Sequence, residues 1–257
     1  MKIQEKNGLK YLEFISFPMP GLTQAIFSRH GGFSRKPWAS LNLGGTVGDD
    51  PENVNKNLDK LLNAVGFTQE QLVQVRQIHS SNVIVADRPV DAQQQGDAII
   101  TNKRGLLLLM RFADCVPVLL IDPVKKVIGI AHAGWQGTVK EVSFHAARAM
   151  VDKFESNPAD IFAGIGPSIG PDHYYIGDEV IEKAKRVFPE HINKILIKDS
   201  DGVKLDLWEA NAISLKKAGL VKIEQAGICT GCNTDDWYSH RAENGKTGRF
   251  AAVIGMK

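Results

Sequence analysis

Three side chains able to bind a transition metal stand where apolar runs end. His79 closes "VRQIHS", Cys115 follows "LLLLMRFAD" and precedes "VPVLL", and His132 follows "VIGIA". Strand ends beside Gly- or Pro-bearing turns are frequent places for functional residues. Two imidazoles and a thiolate supply three zinc ligands and leave a fourth position for water or substrate, as catalytic zinc sites do. The same atoms permit a second chemistry, with Cys115 as nucleophile, His132 as its base, and Asp114 or Asp97 orienting the imidazole. The spacing along the chain is long, so both readings stay open at this point.

Other polar groups are less specific. "FSRHGGFS" (27–34) sets Arg29 and His30 beside a Gly-Gly turn, a backbone able to approach an anion closely. "YSHRAENGKTGR" (238–249) adds His240, Arg241 and Arg249 just before the last apolar run. "GIGPSIG" (164–170) is glycine-rich, but Pro167 and Pro171 interrupt it, so it is no dinucleotide fingerprint. "ICTGC" holds Cys229 and Cys232 as a C-x-x-C. A four-ligand zinc site needs a second pair, and no other C-x-x-C or H-x-x-H exists, so the two read as reduced thiols near a strand end. His145, His173 and His191 show no partner pattern and read as structural.

The elements that must position these groups follow from periodicity. "KYLEFISF" and "QAIFS" read as strands. Residues 49–67 read as a helix with Asp50 as N-cap, Pro51 at its first position and Gly66 as its stop. "QLVQVRQIHSSNVIVAD" reads as a hairpin with His79 at its bend. Strands follow at "DAIIT", "LLLLMRF", "VPVLLID" and "VIGIAHA", several apolar on both faces and so covered on both sides. "EVSFHAARAMVDKF", "DEVIEKAKRVF" and "DLWEANAISLKKAG" read as helices, the last capped by Asp206. "DIFAGIG", "IEQAGIC" and "RFAAVIGM" read as strands. Several strands succeed one another through short turns, which predicts an α+β fold: one domain over residues 1–257, with a large mixed sheet or two packed sheets flanked by helices.

Composition bounds the function. The chain has 257 residues, a net charge of +2 and 43% hydrophobic residues. Its charges are mixed along the chain, which argues against nucleic acid as partner. No run of about 18 apolar residues predicts a membrane span. Three cysteines argue against a disulfide framework and for a reducing, cytoplasmic setting.

Taken together, "FSRHGGFS", "SLNLG", "VGDDPENV", "QIHS", "GDAIIT", "ADCVPVLL", "AHAGWQGTV", "GIGPSIG" and "YSHRAENGKTGRFAAVIGM" resemble, in order, a bacterial family. It has long been described as multicopper polyphenol oxidase or laccase-domain proteins, and is now assigned as purine nucleoside phosphorylases with adenosine deaminase activity. The resemblance runs from about Phe27 to Met256, and "ADCVP" with "AHAGW" is its most specific part. It implies a single-domain α+β fold and a zinc ion held by His79, Cys115 and His132. It also implies phosphorolysis of adenosine, inosine and methylthioadenosine, and deamination of adenosine. Two positions depart from the family pattern: Ser168 stands where a cysteine is common, and Gln136 where an arginine is.

On this reading zinc lowers the pKa of a bound water from 15.7 to about 7, Asp114 or Asp97 relays protons, and Arg29, His30 and Arg249 bind phosphate. Asn42 and Gln77 hydrogen-bond substrate, and Trp135 offers a flat apolar surface to a purine. Copper is the alternative metal, since the affinity order favours it over zinc. A multicopper oxidase site uses H-x-H pairs, and none of the seven histidines forms one. The competing functions are a cysteine hydrolase or amidase using Cys115 and His132 on peptidoglycan precursors, a copper-loaded polyphenol oxidase, and a non-enzymatic metal- or partner-binding protein.

Overall fold

The structure is a computed structural model and describes residues 1–90 and 92–257. Among the described residues two six-stranded sheets pack face to face, each covered on its outer side by helices. The first sheet runs, edge to edge, Lys2–Lys6, Leu9–Glu13, Leu22–Phe27, Phe250–Met256, Leu107–Phe112 and Leu72–Val73. The second runs Lys222–Gln225, Phe162–Ile165, Val116–Asp122, Val127–Ala133, Ala98–Thr101 and Val83–Val85. Each mixes antiparallel pairs with a parallel edge pair. A small third sheet joins Tyr175–Ile176, Val203–Leu205 and Leu196–Lys198. The mixed, helix-flanked architecture is the one expected.

Strand parity explains the layers. Successive side chains point to opposite faces, so Leu108 and Met110 enter the inter-sheet core while Leu107 and Leu109 meet the helix Pro51–Val65. In the second sheet Ile99, Leu119, Ile128 and Ile130 face inward. Ala98, Ile100, Val118, Leu120 and Ala131 instead meet the helices Val142–Phe154 and Leu207–Lys217. This is why both faces of these strands are apolar. Each fully buried Leu or Ile contributes about 1.5–3 kcal/mol.

The helix signals were read correctly. Asp50 accepts from the Glu52 amide, Pro51 opens the helix and Gly66 ends it at φ 73°. Asp206 accepts from Glu209 N at 2.9 Å. The expected hairpin around His79 does not form. Leu72–Val73 pairs in parallel with Leu107–Phe112 in the first sheet, and Val83–Val85 pairs in parallel with Ala98–Thr101 in the second. Both arms find better partners than each other, so residues 74–82 cross from sheet to sheet. Turn signals alone do not distinguish a crossing from a hairpin.

Candidate metal and nucleoside site

All three expected ligands sit at the mouth of the inter-sheet layer. His79 lies in the crossing at 74–82. Cys115 lies in the second crossing, between Leu107–Phe112 and Val116–Asp122. His132 is the last inward-facing residue of Val127–Ala133, on the parity of Ile128 and Ile130, and its ring lies 5.4 Å from that of Phe112. The ligand atoms of His79, Cys115 and His132 all lie within 4.8 Å of one another. Cys115 Sγ is 3.9 Å from His79 Nε2, and the two imidazoles meet edge-to-face at 5.0 Å.

Asp97 organises two of the three. Its carboxylate accepts His132 Nδ1–H at 2.9 Å, which leaves the other ring nitrogen for the site. It also accepts the backbone N–H groups of Ile78, His79 and Ser80 and the Ser80 hydroxyl. Those bonds hold His79 at φ 56°, a left-handed conformation costly outside glycine. Burial alone would raise the Asp97 carboxyl, but the His132 and Ser80 donors hold it down at about 2. A carboxylate behind a metal-ligating histidine fixes its tautomer and raises its basicity.

The electrostatics favour charge separation. Burial pushes the Cys115 thiol up, but the charged His132 ring, with hydrogen bonds from His132 and His79, brings it down to about 6. Burial pushes His132 down, but the Cys115 thiolate and then Asp97 lift it to about 9. Tyr174 is buried nearby, and burial together with the Cys115 charge keeps its hydroxyl protonated. Gly134 is required by close approach: a Cβ there would lie 2.7 Å from Cys115 Sγ and 3.1 Å from His79 Cδ2.

The second carboxylate has a different post. Asp114, at φ 79°, accepts Thr230 Oγ1–H and Ser239 Oγ–H on one oxygen and Arg241 N–H on the other, while its carbonyl accepts Ile169 N–H. It ties three loops together beside Cys115. The imidazole-orienting role falls to Asp97, because Asp97 stands at His132 Nδ1 and both Asp114 oxygens are taken.

The expected anion and substrate donors separate. Arg29 is engaged with the Ala39 and Thr234 carbonyls and with Glu243, and lies over the Tyr238 ring. His30 is exposed and pairs with Asp236 at 2.8 Å. Gln77 exchanges both amide groups with the Arg111 backbone. Asn42 is fully buried, its amide shared among Gly44, Asp49 and Arg249 N. These contacts make Asn42 and Gln77 braces of the site wall. Arg249 differs. It is half-buried and electrostatically coupled to Cys115 and Asp114, and only its Nη1 is used, toward the Thr247 and Gly248 carbonyls. Among the described residues its Nε and Nη2 have no hydrogen-bond partner.

Sequence reading missed one assembly. His173 comes to the C-x-x-C, with Nδ1 at 3.4 Å from Cys232 Sγ and 3.8 Å from Cys229 Sγ. The only hint was a histidine soon after the "GIGPSIG" turn.

Comparison with known proteins agrees with this geometry. Residues 23–257 match the family model described as multi-copper polyphenol oxidoreductase laccase. The chain is 35% identical over 266 residues to the purine nucleoside phosphorylase YlmD of Geobacillus stearothermophilus, covering 99% of this chain and 96% of the relative. It is 37% identical over 242 residues to that of Bacillus subtilis, covering 90% and 87%. The crystal structure of the hypothetical protein YfiH of Bacillus licheniformis superposes with a TM-score of 0.92 at 32% identity, covering 99% of both chains. Among the described residues no helix is long and apolar enough to cross a membrane. With most of its length matched by the family model, and relatives named as purine nucleoside phosphorylases sharing over a third of its residues, the chain belongs to the multi-copper polyphenol oxidoreductase laccase family.

Proposed function

We propose that the chain, acting as one domain, is a zinc-dependent purine nucleoside enzyme. It phosphorolyses adenosine, inosine and methylthioadenosine to the free base and (methylthio)ribose 1-phosphate, and it deaminates adenosine. The observation that carries the reading is the convergence of His79, Cys115 and His132 beside an arginine with unused donors. The donor set fits zinc. A tetrahedral ion with Zn–S near 2.3 Å and Zn–N near 2.0–2.1 Å separates sulfur from nitrogen by about 3.6 Å, and Cys115 Sγ and His79 Nε2 stand 3.9 Å apart. A multicopper centre would require several imidazole-rich sites, whereas this cluster is the only one among the described residues with two histidines.

His79, Cys115 and His132 hold the ion, and when bound it supplies Lewis-acid activation to whatever occupies its open position. The remaining work belongs to the chain. Asp97 stays ionised at neutral pH and fixes His132 with one ring nitrogen toward the site. Arg249 offers Nε and Nη2 to phosphate, whose oxygen forms the bond to C1′ while the bond from C1′ to the purine breaks. Asp114 keeps the loops carrying Thr230, Ser239 and Arg241 closed around the reacting groups. For deamination, water adds at the purine C6 and ammonia leaves. The reading includes a reducing, cytoplasmic setting, consistent with three free cysteines.

Incubation with adenosine, with and without phosphate, tests the proposal. Adenine and ribose 1-phosphate appear only with phosphate, and inosine appears in either case. Metal-stripped protein with full turnover, or no product at any enzyme level, overturns it. A second reading rests on the Cys115–His132 ion pair, which would also suit a cysteine amidase. Cys115→Ser that keeps its metal, loses turnover and traps an acyl adduct in wild type would favour that reading.

A further inference from the structure

The second cysteine–histidine cluster is built by backbone pairing. The turn after Phe162–Ile165 lies alongside residues 228–230: Ser168 N donates to the Ile228 carbonyl, and Thr230 N donates to the Ser168 carbonyl. Gly170 N donates to Cys229 Sγ at 3.2 Å. The C-x-x-C then curls into a turn, because Asn233 donates to the Cys229 carbonyl from both its backbone N and its side-chain Nδ2. The curl brings Cys232 Sγ and Cys229 Sγ to one side, facing His173. The three ligand atoms lie within 4.8 Å of one another.

The separations match a metal site. Tetrahedral zinc places a thiolate and an imidazole nitrogen about 3.6 Å apart, and His173 Nδ1 stands 3.4 Å and 3.8 Å from the two sulfurs. One nitrogen and two sulfurs suit zinc better than magnesium or calcium, which take oxygen ligands. We propose that His173, Cys229 and Cys232 bind a second zinc ion, separate from the His79–Cys115–His132 centre. Binding releases the two thiol protons, leaving two thiolates and a neutral imidazole on the cation. The fourth position faces solvent, since His173 and Cys232 are exposed.

The ion would act as a clip between two loops that border the first site. The 166–173 loop donates Ile169 N–H to the Asp114 carbonyl and leads into Tyr174, and the 228–233 loop donates Thr230 Oγ1–H to the Asp114 carboxylate. The inference is independent of the nucleoside reading, because it concerns zinc bound by residues outside that centre.

The test uses the full chain, purified with reductant, stripped by chelator and titrated with zinc alone. Wild type takes two equivalents, Cys232→Ser and His173→Ala one each, and Cys115→Ala one. Cobalt(II) added to Cys115→Ala, which has no thiolate at the first centre, gives thiolate-to-cobalt absorption in the near ultraviolet. That absorption disappears when Cys232→Ser is added. Cys232 and His173 are exposed, so their variants fold even if Cys115→Ala does not. A single equivalent that survives Cys115→Ala but not Cys232→Ser supports the second site, whatever metal the first one takes. Cys232→Ser retaining every equivalent of wild type, or a folded Cys115→Ala binding no zinc and showing no thiolate band, overturns it.

Discussion

Replacing Gly134 by alanine tests the site geometry with one methyl group. The residue has φ −69°, so alanine meets no backbone strain. The added carbon would stand 2.7 Å from Cys115 Sγ and 3.1 Å from His79 Cδ2. Non-bonded heavy atoms settle near 3.5–4.0 Å, so the thiol must retreat by on the order of 1 Å. A ligand set tolerates about 0.2 Å, and a misplacement of about 1 Å costs roughly a hundredfold in rate. We therefore expect zinc affinity to fall by roughly 10- to 100-fold, and kcat/KM for adenosine phosphorolysis by about a hundredfold. Overpacking costs about 1–3 kcal/mol, and the reduced freedom of the unfolded chain returns about 0.4–1 kcal/mol, so the fold survives. The assay is chelator competition for zinc alongside turnover, with Gly45→Ala as control because nothing lies within 4 Å of a Cβ there. A Gly134→Ala protein with wild-type zinc affinity and turnover would refute the proposed role of Cys115 and His79.

Other outcomes follow from the same contacts. The folded Asp97 carboxyl sits at about 2 against an ordinary 3.8, a depression equivalent to about 2 kcal/mol of stability. That stability is complete above about pH 5 and is lost as pH falls from about 4 to 2. Acid unfolding of metal-stripped Asp97→Asn, followed by circular dichroism, should therefore lack this component, and its zinc affinity should drop about 10- to 100-fold. Asp114→Ala leaves buried donors unpaired and a left-handed residue without its polar side chain, costing about 3 kcal/mol in denaturant unfolding. Asp114→Asn, which tolerates that conformation, should cost less than half as much. Arg249→Ala should raise the KM for phosphate at least tenfold while zinc content stays unchanged, and deamination, which uses no phosphate, should be affected far less.

How much of this was legible in the sequence depended on the range of the interaction. Local signals carried well: Asp50, Pro51 and Gly66 bounded a helix because capping is decided within a turn of chain. His79, Cys115 and His132 were recognisable as candidates because each interrupts an apolar pattern. Their convergence was invisible, since it depends on two crossings between sheets that turn chemistry does not encode, and the same blindness produced the false hairpin. The choice between Asp97 and Asp114 was equally hidden, for both are acidic residues at strand ends and only the register of Ala98–Thr101 against Val127–Ala133 settles it. His173 and the C-x-x-C are 56 residues apart from Cys229 and meet through loop pairing, which leaves no periodic trace.

The two crossings have a consequence for how the centre is tuned. His79 and Cys115 hang on the only ties that carry the chain from one sheet to the other at this end, and His132 rests on Phe112 of the facing sheet. The gap between the sheets therefore works as a caliper on the ligands. A larger or smaller side chain at Leu108, Leu119 or Ile130, well inside the layer, would open or close the jaws. Metal preference and reactivity can thus drift through substitutions in the hydrophobic interior while every ligand stays the same.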